Sequence, residues 1–353
     1  MIDSPRRRSP PRVPSELTLQ SDSDAGGATA GGNGPGAKTR MDGLPEQLRP
    51  AGVVTCQRTL KSSIPCVGVG LHSGQRVNLT LHPAAPGTGI IFRRTDLGID
   101  IPARYDHVSD TSLCTAIAAP GSPQVRVGTV EHLLAALTAT GVDNVLIELD
   151  GPEVPVLDGS AAPFLFLIDC AGVVDQAATR QVIEVLNPVR VESGEAFAEL
   201  RPAPFGLELS LSIDFAAPAI GRQALTLRLT DASFRAELAA SRTFAQRADI
   251  EAMQEAGLAR GGSLENAVVV DGARVLNPEG LRQPDEFVRH KLLDAVGDLG
   301  LAGGAIQGRF VAHRTGHTLN NALLRALFAD PTAWRIAAPE PMTRFYPFTA
   351  RAA

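Results

Sequence analysis

The sequence has little of what places a chain quickly. Its four cysteines are Cys56, Cys66, Cys114 and Cys170, and no two form a C-x-x-C pair. Thiolate zinc knuckles and a disulfide framework are therefore not expected, and the thiols read as buried filler in a reducing compartment. No apolar stretch approaches the ~18 residues of a membrane span. The nearest feature is the short run Phe164 to Ile168. The first residues are rich in Arg and Pro with no apolar h-region behind them, so no secretory signal is expected. One-sided charge is missing too. A net charge of −5, from 33 basic and 38 acidic residues, argues against a general nucleic-acid binder. No nucleotide-binding glycine motif lies between a strand and a helix. Gly68-Val69-Gly70 comes closest, but Ser73 stands at the third glycine position and no helix follows. These absences point to a soluble, cytoplasmic protein with no transmembrane segment and no nucleic-acid partner.

What is present is ordinary globular material. Apolar residues make up 44% of the 353, enough for a sizeable core, and the length suggests two domains at roughly 150 residues each. Residues 1–52 stand apart. They hold Pro5, Pro10, Pro11, Pro14 and the run Gly31-Gly32-Asn33-Gly34-Pro35-Gly36, with no apolar periodicity. Such a segment cannot offset its ordering entropy and reads as a disordered tail. Arg6-Arg7-Arg8 reads as a solvated charge run, and Met41 is an alternative start.

From Val53 the pattern changes. Val77–Leu81, Val145–Leu149, Leu207–Ile213 and Ala224–Leu229 alternate apolar and polar at period two, which predicts half-buried, largely antiparallel strands. Helical periodicity covers Val130–Ala139, Ala161–Ala171, Ile250–Ala256, Phe287–Leu301 and Leu319–Phe328. Strands come in groups with helices between them, which favours an α+β fold. Two helices look related: Val130-Glu131-His132-Leu133-Leu134 and Val288-Arg289-His290-Lys291-Leu292-Leu293 each carry a His two places after a Val. That hints at an internal duplication with a boundary near residue 180. The expected domains are 53–180 and 181–335, with a tail over 336–353.

Seven histidines limit any metal site. His290 and Asp294 are four apart, so on a helix both can face one ion; the alternative is a surface helix pair. A catalytic zinc needs three protein ligands and an open position. His132 is the best third candidate because Glu131 precedes it, and a carboxylate beside a ligand can serve as general base. The H-E-x-x-H signature is absent, as is its inverted form, since position 128 is Gly128. His317 falls at a turn-to-helix junction, a place for either a proton-transfer residue or a cap.

Thr129-Val130-Glu131-His132-Leu133, Asp158-Gly159-Ser160-Ala161-Ala162-Pro163-Phe164, Ser241-Arg242-Thr243-Phe244, Phe287 to Leu299 and Gly316-His317-Thr318-Leu319-Asn320-Asn321 together resemble the UDP-3-O-acyl-N-acetylglucosamine deacetylases. These are zinc amidohydrolases that catalyse the committed step of lipid A synthesis in Gram-negative bacteria. The likeness runs from about Val53 to about Phe328. It implies one Zn²⁺ per chain held by His132, His290 and Asp294, with Glu131 as general base. His317 would be the second acid/base residue, oriented by Asp298. Thr243 would hold the reacting carbonyl, Phe244 would lie beside the sugar and Lys291 at the substrate's polar end. The implied fold is two similar α+β domains, each a sheet packed on helices with a small insert, and an active site in the cleft between them. The second insert, about 245–275, would form an apolar passage for the acyl chain. Two positions depart from the family pattern. His313 stands where an aromatic is usual, and Ala259 where a cysteine is often seen. A monomer acting on a small acylated sugar nucleotide is expected.

Overall fold

The structure, a computed structural model, describes residues 56–337. The tail expected over 1–52 lies outside the described residues, as does nearly all of the one expected over 336–353.

The chain starts with β1 (Cys56–Leu60), β2 (Ile64–Val69), β3 (Arg76–Pro83), β4 (Ile90–Arg94) and β5 (Ile99–Pro102). Three short strands follow: β6 (Val108–Asp110), β7 (Ala116–Ala119) and β8 (Ser122–Val127). Then come α1 (Glu131–Thr140), β9 (Val145–Leu149), α2 (Ala162–Ala171) and β10 (Val173–Thr179). Five strands make one sheet in the order β2-β3-β9-β4-β5, antiparallel except for β4 on β9. β6, β7 and β8 form a second, small sheet. β1 pairs with β10, so the first and last strands of this half close on each other.

The second half repeats the plan with different strand order. It runs β11 (Val182–Val185), β12 (Val189–Ser193), β13 (Ala196–Arg201), β14 (Leu207–Asp214), β15 (Arg222–Arg228) and a one-turn α3 (Asp231–Ser233) that continues as a π turn over Phe234–Leu238. Next are β16 (Phe244–Gln246), α4 (Arg247–Glu255), β17 (Val268–Asp271) and β18 (Arg274–Val275). The chain ends with α5 (Glu286–Gly300), β19 (Ala305–His313), α6 (His317–Ala329) and β20 (Trp334–Ile336). Seven of these strands form one mixed sheet centred on β19, which runs parallel to β11 and β14 and antiparallel to β13. β16, β17 and β18 form a separate small sheet over the segment expected to be an insert. Among the described strands, no pair joins a strand before residue 180 to one after it. The fold is α+β, two such halves with a cleft between them. Strand β20 reaches Ile336, paired with Ile183, so ordered structure runs just past the expected start of the C-terminal tail.

Local sequence explains the packing. In β14 Leu207, Leu209, Leu211 and Ile213 are buried while Glu208, Ser210 and Ser212 are not, the alternation of a one-faced sheet. Helix α1 is buried on nearly every side. Its sequence Leu-Leu-Ala-Ala-Leu is apolar all round, as an interior helix requires. α1 crosses α5, and α5 in turn lies on α6, β14 and β15. The two halves therefore meet helix on helix, and their apolar residues form one continuous core.

One expectation fails. Cys56 and Cys170 are exposed, and Cys66 and Cys114 are only half-buried. Cys170 sits four residues from Phe166 on the outward face of α2, whose inward face is Phe164, Leu165, Ile168 and Ala171. That stripe already fills the core side of the helix.

Candidate active site

The crossing of α1 and α5 builds the site. Glu131 and His132 occupy the first turn of α1, entered through Thr129, a buried residue with a positive φ of 56°. His290, Lys291, Asp294 and Asp298 lie on α5 at i, i+1, i+4 and i+8, so His290, Asp294 and Asp298 share one face. His317 is the first residue of α6, two places before the Leu319 start of the predicted periodicity.

His132, His290 and Asp294 converge. They are 4%, 2% and 4% exposed, which removes the reading of His290 and Asp294 as a surface pair. One ligand atom from each lies within 4.8 Å of the others. His132 Nε2 is 3.5 Å and His290 Nε2 3.2 Å from Asp294 Oδ1. That oxygen has no hydrogen-bond partner among the described residues, although it is buried. A buried carboxylate oxygen facing two imidazole nitrogens without a formed hydrogen bond is what a cation would satisfy. Two nitrogens and one oxygen suit zinc among divalent metals. His290 Nδ1 donates to the Ser241 carbonyl at 3.1 Å, which leaves the Nε2 lone pair aimed at the cluster. Burial pushes His290 down to about 4, despite the Asp294 carboxylate beside it, so the ring is neutral and able to ligate. Burial opposes the charge on Asp294, but His290, Lys291 and His132 hold its carboxyl well below the usual range.

A second group adjoins it. Glu131 is 3% exposed, and burial raises its carboxyl above the ordinary carboxylate range, more than His317 and His132 lower it. Its Oε2 accepts the backbone N–H of Thr115 at 3.1 Å, and its Oε1 lies 3.9 Å from His317 Nε2. His317 Nδ1 meets Asp298 Oδ2 at 2.9 Å. Burial alone would lower the imidazole, but Asp298, Glu131 and Asp294 raise it to about 9. His317 is therefore a cation at neutral pH.

The groups face a cavity of about 90 Å³ between the halves, walled by Leu71, His72, Leu113 and Cys114 on one side and Thr243 and Phe244 on the other. The Phe244 ring stands edge-on to His290 at 6.0 Å and has the Lys291 ammonium 5.8 Å from its centroid. Lys291 Nζ donates to Asp294 Oδ2 at 3.2 Å. All nine residues singled out from the sequence thus lie in or directly around one cleft. His313 does not. It sits on β19, bonded to Ser212 at 2.8 Å. Ala259, 7% exposed, adopts a positive φ of 51° in a loop that docks on the Leu71–His72 turn through Gly261 N–H and Leu71 O at 3.0 Å.

Comparison with known proteins shows the family. A family profile described as UDP-3-O-acyl N-acetylglycosamine deacetylase fits residues 57–329. The chain belongs to this deacetylase family. It is 51% identical over 282 residues to a UDP-3-O-acyl-N-acetylglucosamine deacetylase of Myxococcus xanthus, covering 79% of this chain and 88% of the relative. A namesake from Shewanella sp. (strain W3-18-1) is 48% identical, with 80% of this chain and 93% of the relative covered. Another, from Shewanella frigidimarina, is 48% identical at 79% and 92% coverage.

Sequence reasoning missed some polar residues of this cleft. Asn320 donates to Asp298 Oδ2 at 2.8 Å and accepts from Thr315 at 2.8 Å. Thr115 reaches both Glu131 and Asp298. Asn320 stood inside a motif quoted for the resemblance. Thr115 carried no signal at all.

Proposed function

We propose that this protein hydrolyses the acetamide of UDP-3-O-(3-hydroxyacyl)-N-acetylglucosamine, releasing acetate and the free amine. This would be the committed step of lipid A, and hence lipopolysaccharide, biosynthesis. The observation that carries the reading is the meeting of His132, His290 and Asp294 with Glu131 and His317 in one small cleft, in a chain of this family.

His132, His290 and Asp294 would hold one zinc. Zinc bound there supplies Lewis-acid chemistry, making a water more acidic and offsetting negative charge on the reacting carbonyl oxygen. Glu131 takes a proton from the attacking water as general base; its raised affinity for a proton suits that task. The Thr243 hydroxyl donates to the carbonyl oxygen as charge builds there. The amine leaves only if protonated. His317, cationic through Asp298, delivers that proton at Nε2. The C–N bond breaks, a C–O bond forms, and both catalytic groups return to their starting states when the proton Glu131 took from water replaces the one His317 gave to the amine. Phe244 would lie against the sugar. Lys291 would offer its donors not spent on Asp294 to the polar, diphosphate-bearing end. Residues 245–275, built around β16, α4 and β17, would border the acyl chain. We also take 53–180 and 181–335 as two domains of a cytoplasmic monomer. No helix among the described residues is long and apolar enough to cross a membrane.

The test is metal analysis of the purified protein together with a deacetylation assay on the acylated sugar nucleotide. One zinc per chain and release of acetate are expected. A protein that holds zinc but leaves this substrate intact would overturn the proposed activity.

A further inference from the structure

Thr115 uses its backbone N–H, its backbone carbonyl and its hydroxyl on three different partners. It precedes β7 and is 1% exposed. Its backbone N–H donates to Glu131 Oε2 at 3.1 Å. Its hydroxyl donates to Asp298 Oδ1 at 2.5 Å, across 183 residues of sequence. Its carbonyl accepts the Val130 N–H at 3.2 Å, at the entry to α1. The same loop is tied to α6 by Thr111 and Thr318, whose hydroxyls are 2.8 Å apart. One residue thus grips the carboxylate on α1 and the carboxylate on α5 that orients the histidine of α6.

The geometry around it gives this grip a purpose. Asp298 Oδ2 is occupied by His317 Nδ1 and Asn320 Nδ2. Only Oδ1 is left to fix the rotation of the carboxylate, and the Thr115 hydroxyl takes it. His317 Nε2 stops 3.9 Å from Glu131 Oε1, outside hydrogen-bond reach. A closer approach would join a cationic imidazole to a carboxylate in a buried site, where such pairs are strong. That pair would tie up both the proton acceptor and the proton donor before substrate arrives.

We infer that Thr115 is a positioning residue that holds Glu131 and the Asp298–His317 pair apart, so that base and acid stay separately available in the free enzyme. The inference rests on the proposed deacetylation for its kinetic consequence. Its geometric consequence stands without turnover. Several groups face His317: Asp298 and Asp294 from α5, Glu131 and His132 from α1, and Cys114 at the rim of the cleft. Thr115→Val leaves all of them in place. It keeps the backbone N–H on Glu131 and removes only the hydroxyl from Asp298.

The experiment compares wild type, Thr115→Val, Thr115→Ala and Thr115→Ser as zinc-loaded full-length proteins. The Val and Ala variants should lose about tenfold to a hundredfold in kcat, the usual cost of a lost outer hydrogen-bond partner, with KM little changed. The descending limb of their pH–rate profile should move to higher pH, because Asp298 loses a donor that shares its charge and Glu131 is free to close on His317. Thr115→Ser restores the hydroxyl and should recover most of both. Isotope-labelled histidine NMR should show the same upward move of His317 in the Val or Ala variant, without substrate. Failure of wild type to hydrolyse the substrate would count against the proposed activity only. A Val variant, or an Ala variant if Val does not fold, with wild-type kcat and an unmoved His317 titration would overturn the inference. So would a Ser variant as impaired as Val, since the hydroxyl would then be irrelevant.

Discussion

Gly297 on α5 sits so close to Glu131 on α1 that a β-carbon there would lie 2.0 Å from the Glu131 carbonyl oxygen. The crossing of the two helices depends on this bare surface. Gly300, one turn on, repeats it against Thr138, with 2.4 Å from a built Cβ to the hydroxyl oxygen. The crossing sets how far His132 on one helix stands from His290 and Asp294 on the other. Gly297→Ala must therefore part the helices. Overpacking of this kind costs about 1–3 kcal/mol, more than Ala gains in helix propensity. Chemical denaturation should show that loss, and chelator competition should show weaker metal retention. A variant with wild-type stability and metal affinity would mean the crossing has slack that the distance denies.

His132→Ala and Glu131→Ala separate binding from chemistry. The first removes one of three converging ligand atoms, so both metal and activity should be lost. Glu131 is not in that trio, so its Ala variant should keep the metal and lose roughly 10²–10⁴ in rate. Metal content by mass spectrometry and turnover on the same preparations decide the matter. Full metal occupancy in His132→Ala would remove it from the ligand set, and near-normal turnover in Glu131→Ala would pass the base role to another group.

Much of this was legible in the sequence because it is local. The i, i+4 spacing of His290 and Asp294 puts them on one helix face wherever that helix lies. The Leu-Ala run of α1 marks an interior helix, and the strict alternation from Leu207 to Ile213 marks a one-faced strand. Strand β2 was illegible. Its sequence Ile64-Pro65-Cys66-Val67-Gly68-Val69 carries two breakers, and Val67 and Val69 are exposed, so the pattern does not point one way. The cysteines misled because type preference is an average, and Cys170 lies on the outer stripe of α2. Thr115 was illegible for a deeper reason. Its partner Asp298 is 183 residues away, and only the folded cleft brings the two together.

Arg242 and Glu286 make a buried ion pair, each side chain 1% exposed, with Nε and Oε1 3.0 Å apart. Glu286 also accepts the backbone N–H groups of Arg242 and Arg282 at 2.9 and 2.7 Å. The pair ties the Ser241–Thr243 segment to the start of α5. Ser241 on one side of Arg242 receives the His290 ring, and Thr243 on the other faces the cleft. Arg242→Met strands a buried carboxylate and should cost about 3–5 kcal/mol in denaturant unfolding. Adding Glu286→Leu removes that carboxylate and should recover part of the loss, a coupling readable in a double-mutant cycle. Additive losses would show that the two side chains act independently.

The pH–rate profile should be bell-shaped, and the shifts fix the sense of each limb. Glu131 must start deprotonated. Burial raises its proton affinity, so the ascending limb should lie above the ordinary carboxylate range. His317 must start protonated. Its imidazole is raised to about 9, so the rate should fall as pH climbs through that region. The same shift bears on stability. A histidine raised in the folded state contributes fully below its unfolded value near 6.5, and that contribution is lost as pH rises through about 9. Unfolding free energy should therefore decline from pH 7 to pH 9 along with the rate. In His317→Gln the titrating cation is gone while a hydrogen-bonding side chain stays. Its descending limb should flatten over a much lower plateau, and its stability should lose this alkaline slope. If the Gln variant keeps the wild-type descending limb, the proton comes from another group. Lys291, whose ammonium lies 3.2 Å from Asp294 at the same cleft, is then the cation to replace next.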